Sequence, residues 1–156
     1  MRRFALVLLL PLLFACDEDA TQASAKSADT VVRAGTSFGF CLGYCTDELV
    51  IADGAVTYTR RDGRDPGHPD LVYTARLDAT EWEALRLAAD PALLDDTPEV
   101  VGCPDCADGG SEWVRLAQRG SADAVTFEYG DDLEALGELL PQLRELRQRF
   151  REESGF

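Results

Sequence analysis

The sequence predicts an α+β domain: an antiparallel sheet of about five strands with two helices packed on one face. Three observations carry this reading. Two β-rich runs flank Asp53-Gly54, and Asp-Gly between such runs signals a hairpin, because a type I′ turn needs positive φ at both central residues. Other runs rich in strand-forming residues lie at 71–77, 112–118 and 124–129. Two stretches with helical apolar spacing each open on an aspartate with a glutamate three residues later.

In chain order, Val31 to Phe40 reads as a strand from its β-branched and aromatic residues. Glu48–Ala52 and Ala55–Thr59 form the Asp53-Gly54 hairpin. Leu71 to Leu77 follows, with Leu71, Tyr73, Ala75 and Leu77 on one face. Asp78 then caps a helix, with Glu81 completing a capping box and Trp82, Leu85 and Ala89 on one stripe. Pro91 ends that helix, and Pro98 keeps the next segment irregular. Glu112–Gln118 and Ala124–Tyr129 form a second hairpin around Arg119-Gly120-Ser121. Asp131 opens the last helix, with Glu134 as its box partner and Leu133, Leu136, Leu140 and Leu143 as a buried stripe. That stripe reads as core rather than as a surface for a partner helix. Pro141 predicts a kink or two abutting pieces. Asp131, Asp132 and Glu134 suit the positive end of the helix dipole, and Arg144, Arg147, Arg149 and Arg151 the negative end.

The 156 residues carry a formal charge of −14, unevenly spread. Residues 1–15 hold Arg2 and Arg3 and no acid, whereas the remaining 141 hold 13 bases and 29 acids. So acidic a body argues against nucleic acid as a partner, since phosphate contacts need clustered Lys and Arg. Phe4 to Phe14 is apolar apart from Pro11, and its eleven residues are too few to span a bilayer, which takes about 20. A basic start, a short apolar run and a small residue before a break read as a secretory signal over residues 1–15.

Leu13-Phe14-Ala15-Cys16 resembles the lipobox of bacterial lipoproteins, with Phe14 where a small residue is usual. The resemblance implies that Cys16 is lipidated and becomes the mature N-terminus. Anchoring then follows from acyl burial, about 0.8 kcal/mol per CH₂, with more than one chain needed for stable attachment. Residues 17–30 hold no aromatic or large aliphatic side chain, so residues 16–30 read as anchor and disordered tether, with a reach of about 20 Å. Residues 31–151 then form a single globular domain. Asp17 resembles the inner-membrane retention signal of enterobacterial lipoproteins, but that rule differs among bacteria and leaves inner or outer membrane open.

With Cys16 set aside, Cys41, Cys45, Cys103 and Cys106 remain. Outside the cytoplasm an even number suggests disulfides, and four cysteines allow three pairings. Sequence alone does not choose among them, but Cys41 and Cys45, and Cys103 and Cys106, are close in sequence within Gly- or Pro-containing segments, where a bend could bring each pair within bridging distance. Two other readings stand beside structural disulfides. A tetrathiolate zinc site has nearly suitable spacing. A redox-active Cys103-Pro104-Asp105-Cys106 is the other, although Asp105 and Asp108 would raise a thiol pKa and a strand follows instead of a helix.

Cys41-Leu42-Gly43-Tyr44-Cys45, followed by a strand, Asp53-Gly54 and Ala55-Val56-Thr57-Tyr58, resembles a family of bacterial secreted and lipoprotein domains of unknown function. Thr46 stands where that family usually carries proline. Phe38-Gly39-Phe40-Cys41 together with Gly102-Cys103-Pro104-Asp105-Cys106-Ala107-Asp108-Gly109-Gly110 is similar to a narrower set within it. The resemblance implies a domain over residues 36–150 and a local pairing for Cys41. It brings no activity.

Other candidates for chemistry are sparse. His68 is the only histidine and sits in a polar loop with Asp62, Asp65 and Asp70. Its spacing does not match an EF-hand, so a solvated turn is the expectation. Asp105 and Asp108 read as turn caps rather than calcium ligands. Ser37 and Ser111 lack nucleophile-elbow contexts, and no catalytic triad assembles. Trp82, Trp113, Phe38, Phe40 and Tyr44 are expected in the core; exposure of the last three would instead make a contact surface. No cofactor and no catalytic residue is assigned. The reading that follows is a lipid-anchored binding or assembly module of the bacterial envelope, not an enzyme. Its partners would be the membrane, through Cys16, and an envelope protein. The alternatives are a thiol–disulfide accessory using Cys103 and Cys106, or a four-cysteine metal-binding protein.

Overall fold

The computed structural model describes residues 29–65 and 67–156. The leader, Cys16 and most of the expected tether fall outside them. Among the described residues six strands form one antiparallel sheet: β1 (Thr30–Ser37), β2 (Tyr44–Ala52), β3 (Ala55–Asp62), β4 (Leu71–Arg76), β5 (Ser111–Gln118) and β6 (Ser121–Glu128). Their order is β4-β3-β2-β1-β5-β6. The expected count of about five is one short. Both edge strands, β4 and β6, pair along their whole length, so every strand-like segment joins the sheet.

The turns form for the reasons read from the sequence. Asp53 and Gly54 both hold positive φ, 48° and 75°, as the β2–β3 turn requires. Arg119 and Gly120, at 51° and 86°, do the same between β5 and β6. Strand β1 stops at Ser37, not Phe40, because the chain leaves the ladder for the Cys41–Cys45 loop.

The register lays buried side chains in rows across the sheet. One row runs Val56, Ile51, Val32, Leu116, and the next Tyr58, Leu49, Ala34, Val114, Val125. These residues are at most 1% exposed, and Leu85, Leu140, Leu143 and Phe150 join the same buried cluster. Each fully buried Val, Leu or Phe contributes about 1.5–3 kcal/mol, so these rows dominate stability.

Helix α1 (Ala79–Ala88) starts as expected, with the Asp78 carboxylate accepting from the backbone N–H groups of Thr80 and Glu81 at 2.8 and 2.9 Å. The reciprocal half of the capping box does not form. The Glu81 carboxylate accepts from Arg149 Nη1 instead, at 2.6 Å, which ties α1 to α2 (Leu139–Ser154). Beyond Ala89, Pro91–Leu94 forms a short 3₁₀ turn.

The last helical region differs more. No helix opens at Asp131; a 3₁₀ turn spans Glu134–Leu136, and α2 begins at Leu139. The break is at Gly137, whose φ of 44° and ψ of −127° stop the turn, and not at Pro141. Pro141 lies in the first turn of α2, where its missing N–H has no intrahelical acceptor to lose. Asp131, Asp132 and Glu134 therefore do not sit in that first turn. The leucine stripe persists through Leu136, Leu140 and Leu143 and continues into Leu146 and Phe150.

Candidate functional site

One further row lies on the same sheet face as the apolar rows, at the end where β1 gives way to the Cys41–Cys45 loop. Register aligns Arg60, Asp47, Thr36, Glu112 and Phe127. Arg144, Arg147 and Arg151 of α2, spaced i, i+3 and i+7, share one helix face. These arginines and the polar row line a cleft of about 980 Å³, with Phe38, Tyr44 and Tyr129 among the aromatic residues around it.

The carboxylates at the base are held tightly. Glu112, 1% exposed, receives Arg144 Nη2 at 2.8 Å and Arg147 Nη1 at 2.9 Å. Burial pushes its pKa up, but the two guanidiniums outweigh burial and leave it below the ordinary value. Asp47 accepts from the Thr36 hydroxyl at 3.0 Å and lies 3.5 Å from both the Tyr58 hydroxyl and Arg147 Nε. The Tyr58 phenol is pushed up to about 12, by burial and then by Asp47, against the opposing charges of Arg151, Arg60 and Arg147. It therefore remains protonated.

Both cysteine pairs are local disulfides: Cys41–Cys45 and Cys103–Cys106. All four sulfurs are spent on these bonds, so none is left as a thiolate donor for zinc. Among the described residues, no three His, Cys, Asp or Glu side chains converge as a metal-holding group.

The two loops meet at this end of the sheet. Asp105 Oδ1 accepts from the Gly39 N–H at 3.2 Å, and the Phe38 ring stacks edge-on against Tyr129 with centroids 4.9 Å apart. Phe38 also lies so close to Gly110 that a Cβ there would meet the ring at 2.4 Å. From the other side, Arg64 donates to the Gly39 carbonyl at 3.0 Å and lies 5.2 Å from the Phe40 ring centroid. The Tyr44 hydroxyl donates to Pro69 O at 3.0 Å.

The aromatic residues depart from expectation. Phe40 is 75% exposed, and Leu42 between the cysteines is 91% exposed. Phe38 and Tyr44 are only half-buried. The disulfide and the two contacts on Gly39 hold the backbone here, and the Phe40 and Leu42 side chains project to solvent. Trp113 is half-buried on the opposite sheet face, against Gly35.

His68 sits in a solvated loop, as expected, with Nδ1 2.8 Å from Asp62 Oδ2 and its ring stacked near Tyr44. The hydrogen bond to Asp62 raises the His68 pKa and lowers that of Asp62. The His68 contribution is thus complete below its unfolded pKa, about 6.5, and lost as pH rises through the raised folded value. An NMR titration of wild type and Asp62→Asn checks this: the His68 midpoint falls toward 6.5 in the variant. An unchanged midpoint contradicts the pairing.

Ser37 and Ser111 serve structure: the Ser111 hydroxyl donates to Ser37 O, and the Ser37 hydroxyl lies 3.4 Å from that of Thr46. Asp105 braces Gly39. Local sequence does not reveal the polar row, because α2's arginines look like dipole partners there. Its sequence signal is polar residues at inward positions, Asp47 and Glu112, together with the i, i+3, i+7 arginine spacing. No protein-family model matches the chain, and no curated protein matches it.

Proposed function

We propose that the protein is a lipid-anchored extracytoplasmic binding module of the bacterial cell envelope, held by Cys16 and contacting an envelope protein through the Phe40–Leu42 loop. The observation that carries this is the exposure of two large apolar side chains, Leu42 inside the loop closed by Cys41–Cys45 and Phe40 directly before it. An exposed apolar tip held rigid loses little entropy on binding, which is what a docking point requires. Two disulfides are compatible with an oxidising compartment, and among the described residues no helix is long and apolar enough to cross a membrane. Lipidation at Cys16 supplies the attachment, and the resemblance to secreted and lipoprotein domains agrees with it.

In this reading both helices cover the sheet face that carries the apolar rows. The participation of Leu85, Leu140, Leu143 and Phe150 in that core supports the arrangement. Docking then takes place at the end of the sheet, beyond the helices.

A second reading, thiol–disulfide exchange at Cys103–Cys106, is favoured by the exposure of both cysteines. The surrounding Asp105, Asp108 and Glu128 disfavour a thiolate there, so binding is preferred.

Fractionation of cells carrying Cys16→Ala tests the anchor. The wild type is expected in the membrane fraction and the variant in the soluble extracytoplasmic fraction. Retention of the variant in the membrane contradicts lipid anchoring.

A further inference from the structure

The cleft beside the proposed docking loop has charges that its internal pairs do not consume. Four arginines, Arg60, Arg144, Arg147 and Arg151, line it together with three acidic side chains, Asp47, Glu112 and Glu152. Arg144 and Arg147 are committed to Glu112, and Arg144 also reaches Asp132 at 3.3 Å. Among the described residues neither Arg60 nor Arg151 has a carboxylate within 4.0 Å. Arg60 donates only to the Tyr44 carbonyl, at 3.3 Å, and its guanidinium lies 5.7 Å from the Tyr44 ring centroid.

Both cations line this one cleft, Arg60 from strand β3 and Arg151 from helix α2. A guanidinium presents a fork of donors that matches a carboxylate, and such charge-assisted pairs are roughly twice as strong as neutral hydrogen bonds. The Tyr44 ring and the Phe38–Tyr129 pair give the same cleft apolar walls. A volume near 980 Å³ is at the upper end of ligand-site sizes, about 300–1,000 Å³.

We infer that the cleft binds a carboxylate-bearing organic ligand, with Arg60 and Arg151 holding the carboxylate and Tyr44, Phe38 and Tyr129 flanking an apolar body. The inference does not depend on partner docking at Phe40 and Leu42, since none of its residues is in that exposed pair. The buried carboxylates play a different part. By holding Arg144 and Arg147 they fix the cleft floor and keep those guanidiniums from competing for the ligand.

Calorimetric titration of the full chain in detergent tests the site. The probes are 3-phenylpropanoate and the tripeptide acetyl-Ala-Ala-Phe as free acid, each against its own amide, with inorganic phosphate as a further arm. The expected result is that an acid binds at least about tenfold more tightly than its amide, the loss of one charge-assisted pair. Tighter binding of the small acid marks a free metabolite-like ligand, and tighter binding of the tripeptide marks a peptide C-terminus; either supports the carboxylate site. Arg60→Gln and Arg151→Gln are each expected to weaken acid binding about tenfold and leave thermal unfolding near that of wild type, because neither breaks an internal ion pair. Arg115→Gln, exposed on the opposite sheet face, leaves binding unchanged. Equal binding of acid and amide overturns the proposal. So do wild-type affinity in both cleft variants, phosphate binding as tight as that of either acid, or no binding of either acid at millimolar concentration.

Discussion

Replacing Glu112 by Gln is expected to cost about 3–5 kcal/mol of stability, the range for removing one partner of a buried ion pair. The size follows from what is left behind. Glu112 is 1% exposed and neutralises both Arg144 and Arg147, and the Arg147 side chain is itself only 11% exposed. An amide accepts only weakly from the guanidiniums and leaves Arg147 with Asp47 at 3.5 Å, and Arg144 with Asp132 at 3.3 Å, as their remaining carboxylates. Denaturant titration checks the loss. The pH dependence gives a second signature. The native Glu112 pKa is lowered, so its contribution is complete above the unfolded value and disappears as pH falls through the folded one. The wild type therefore loses stability on acidification below about pH 4.5 more steeply than the variant. Glu83→Gln is the contrast. Glu83 pairs with Arg86 at 2.6 Å on an exposed helix surface, and its loss is expected within about 1 kcal/mol.

Gly35→Ala is the second large effect, about 1–3 kcal/mol, drawn from the cost of overpacking a closed site. A Cβ at residue 35 would lie 2.4 Å from the Asp47 carbonyl oxygen and 2.5 Å from the Trp113 ring. The ring can rotate away at some cost; the carbonyl belongs to the neighbouring strand and cannot. Relief requires β1 and β2 to shift where Thr36 donates to the Asp47 carboxylate, so the change also reaches the polar row. Thermal unfolding is the measurement, with Gly63→Ala as control. A Cβ at Gly63 meets nothing within 4 Å, and that variant is expected to be neutral or slightly stabilised.

These two residues also show where reading the sequence succeeds and where it stops. The strands announce themselves because β1 to β6 alternate with period two and the β2–β3 turn carries Asp53-Gly54, whose positive φ values admit few other pairs. Local chemistry also places the Asp78 cap. Glu81 fails as a box partner because Arg149, 68 residues away, offers a stronger contact than its own backbone. The start of α2 is hidden for a related reason: Asp131 and Glu134 imitate a capping box, and only the backbone conformation of Gly137 shows that the chain turns before the helix begins.

The candidate site is the least legible part. Asp47 and Glu112 are 65 residues apart, and each taken alone interrupts an apolar pattern. Only the register of three strand pairs brings them into line with Arg60 and Thr36. The Phe40–Leu42 loop is legible in half. Its cysteines and aromatics stand out in sequence, but aromatic residues are more often buried than exposed. That Phe40 and Leu42 point outward depends on braces from Arg64 and Asp105, in two other loops.

Docking of an envelope partner at this end of the sheet is the proposal on which the function rests. Site-resolved photo-crosslinking in intact cells tests it most directly, with a photoreactive residue placed at position 42 or at position 87. Leu42 and Leu87 are both exposed, 91% and 68%, but Leu87 lies on α1, away from the disulfide loops. One discrete adduct with an envelope protein is expected from position 42, lost when Phe40 is changed to Ser, and none from position 87. The same adduct from both positions, or no adduct from position 42 in correctly anchored protein, would contradict it.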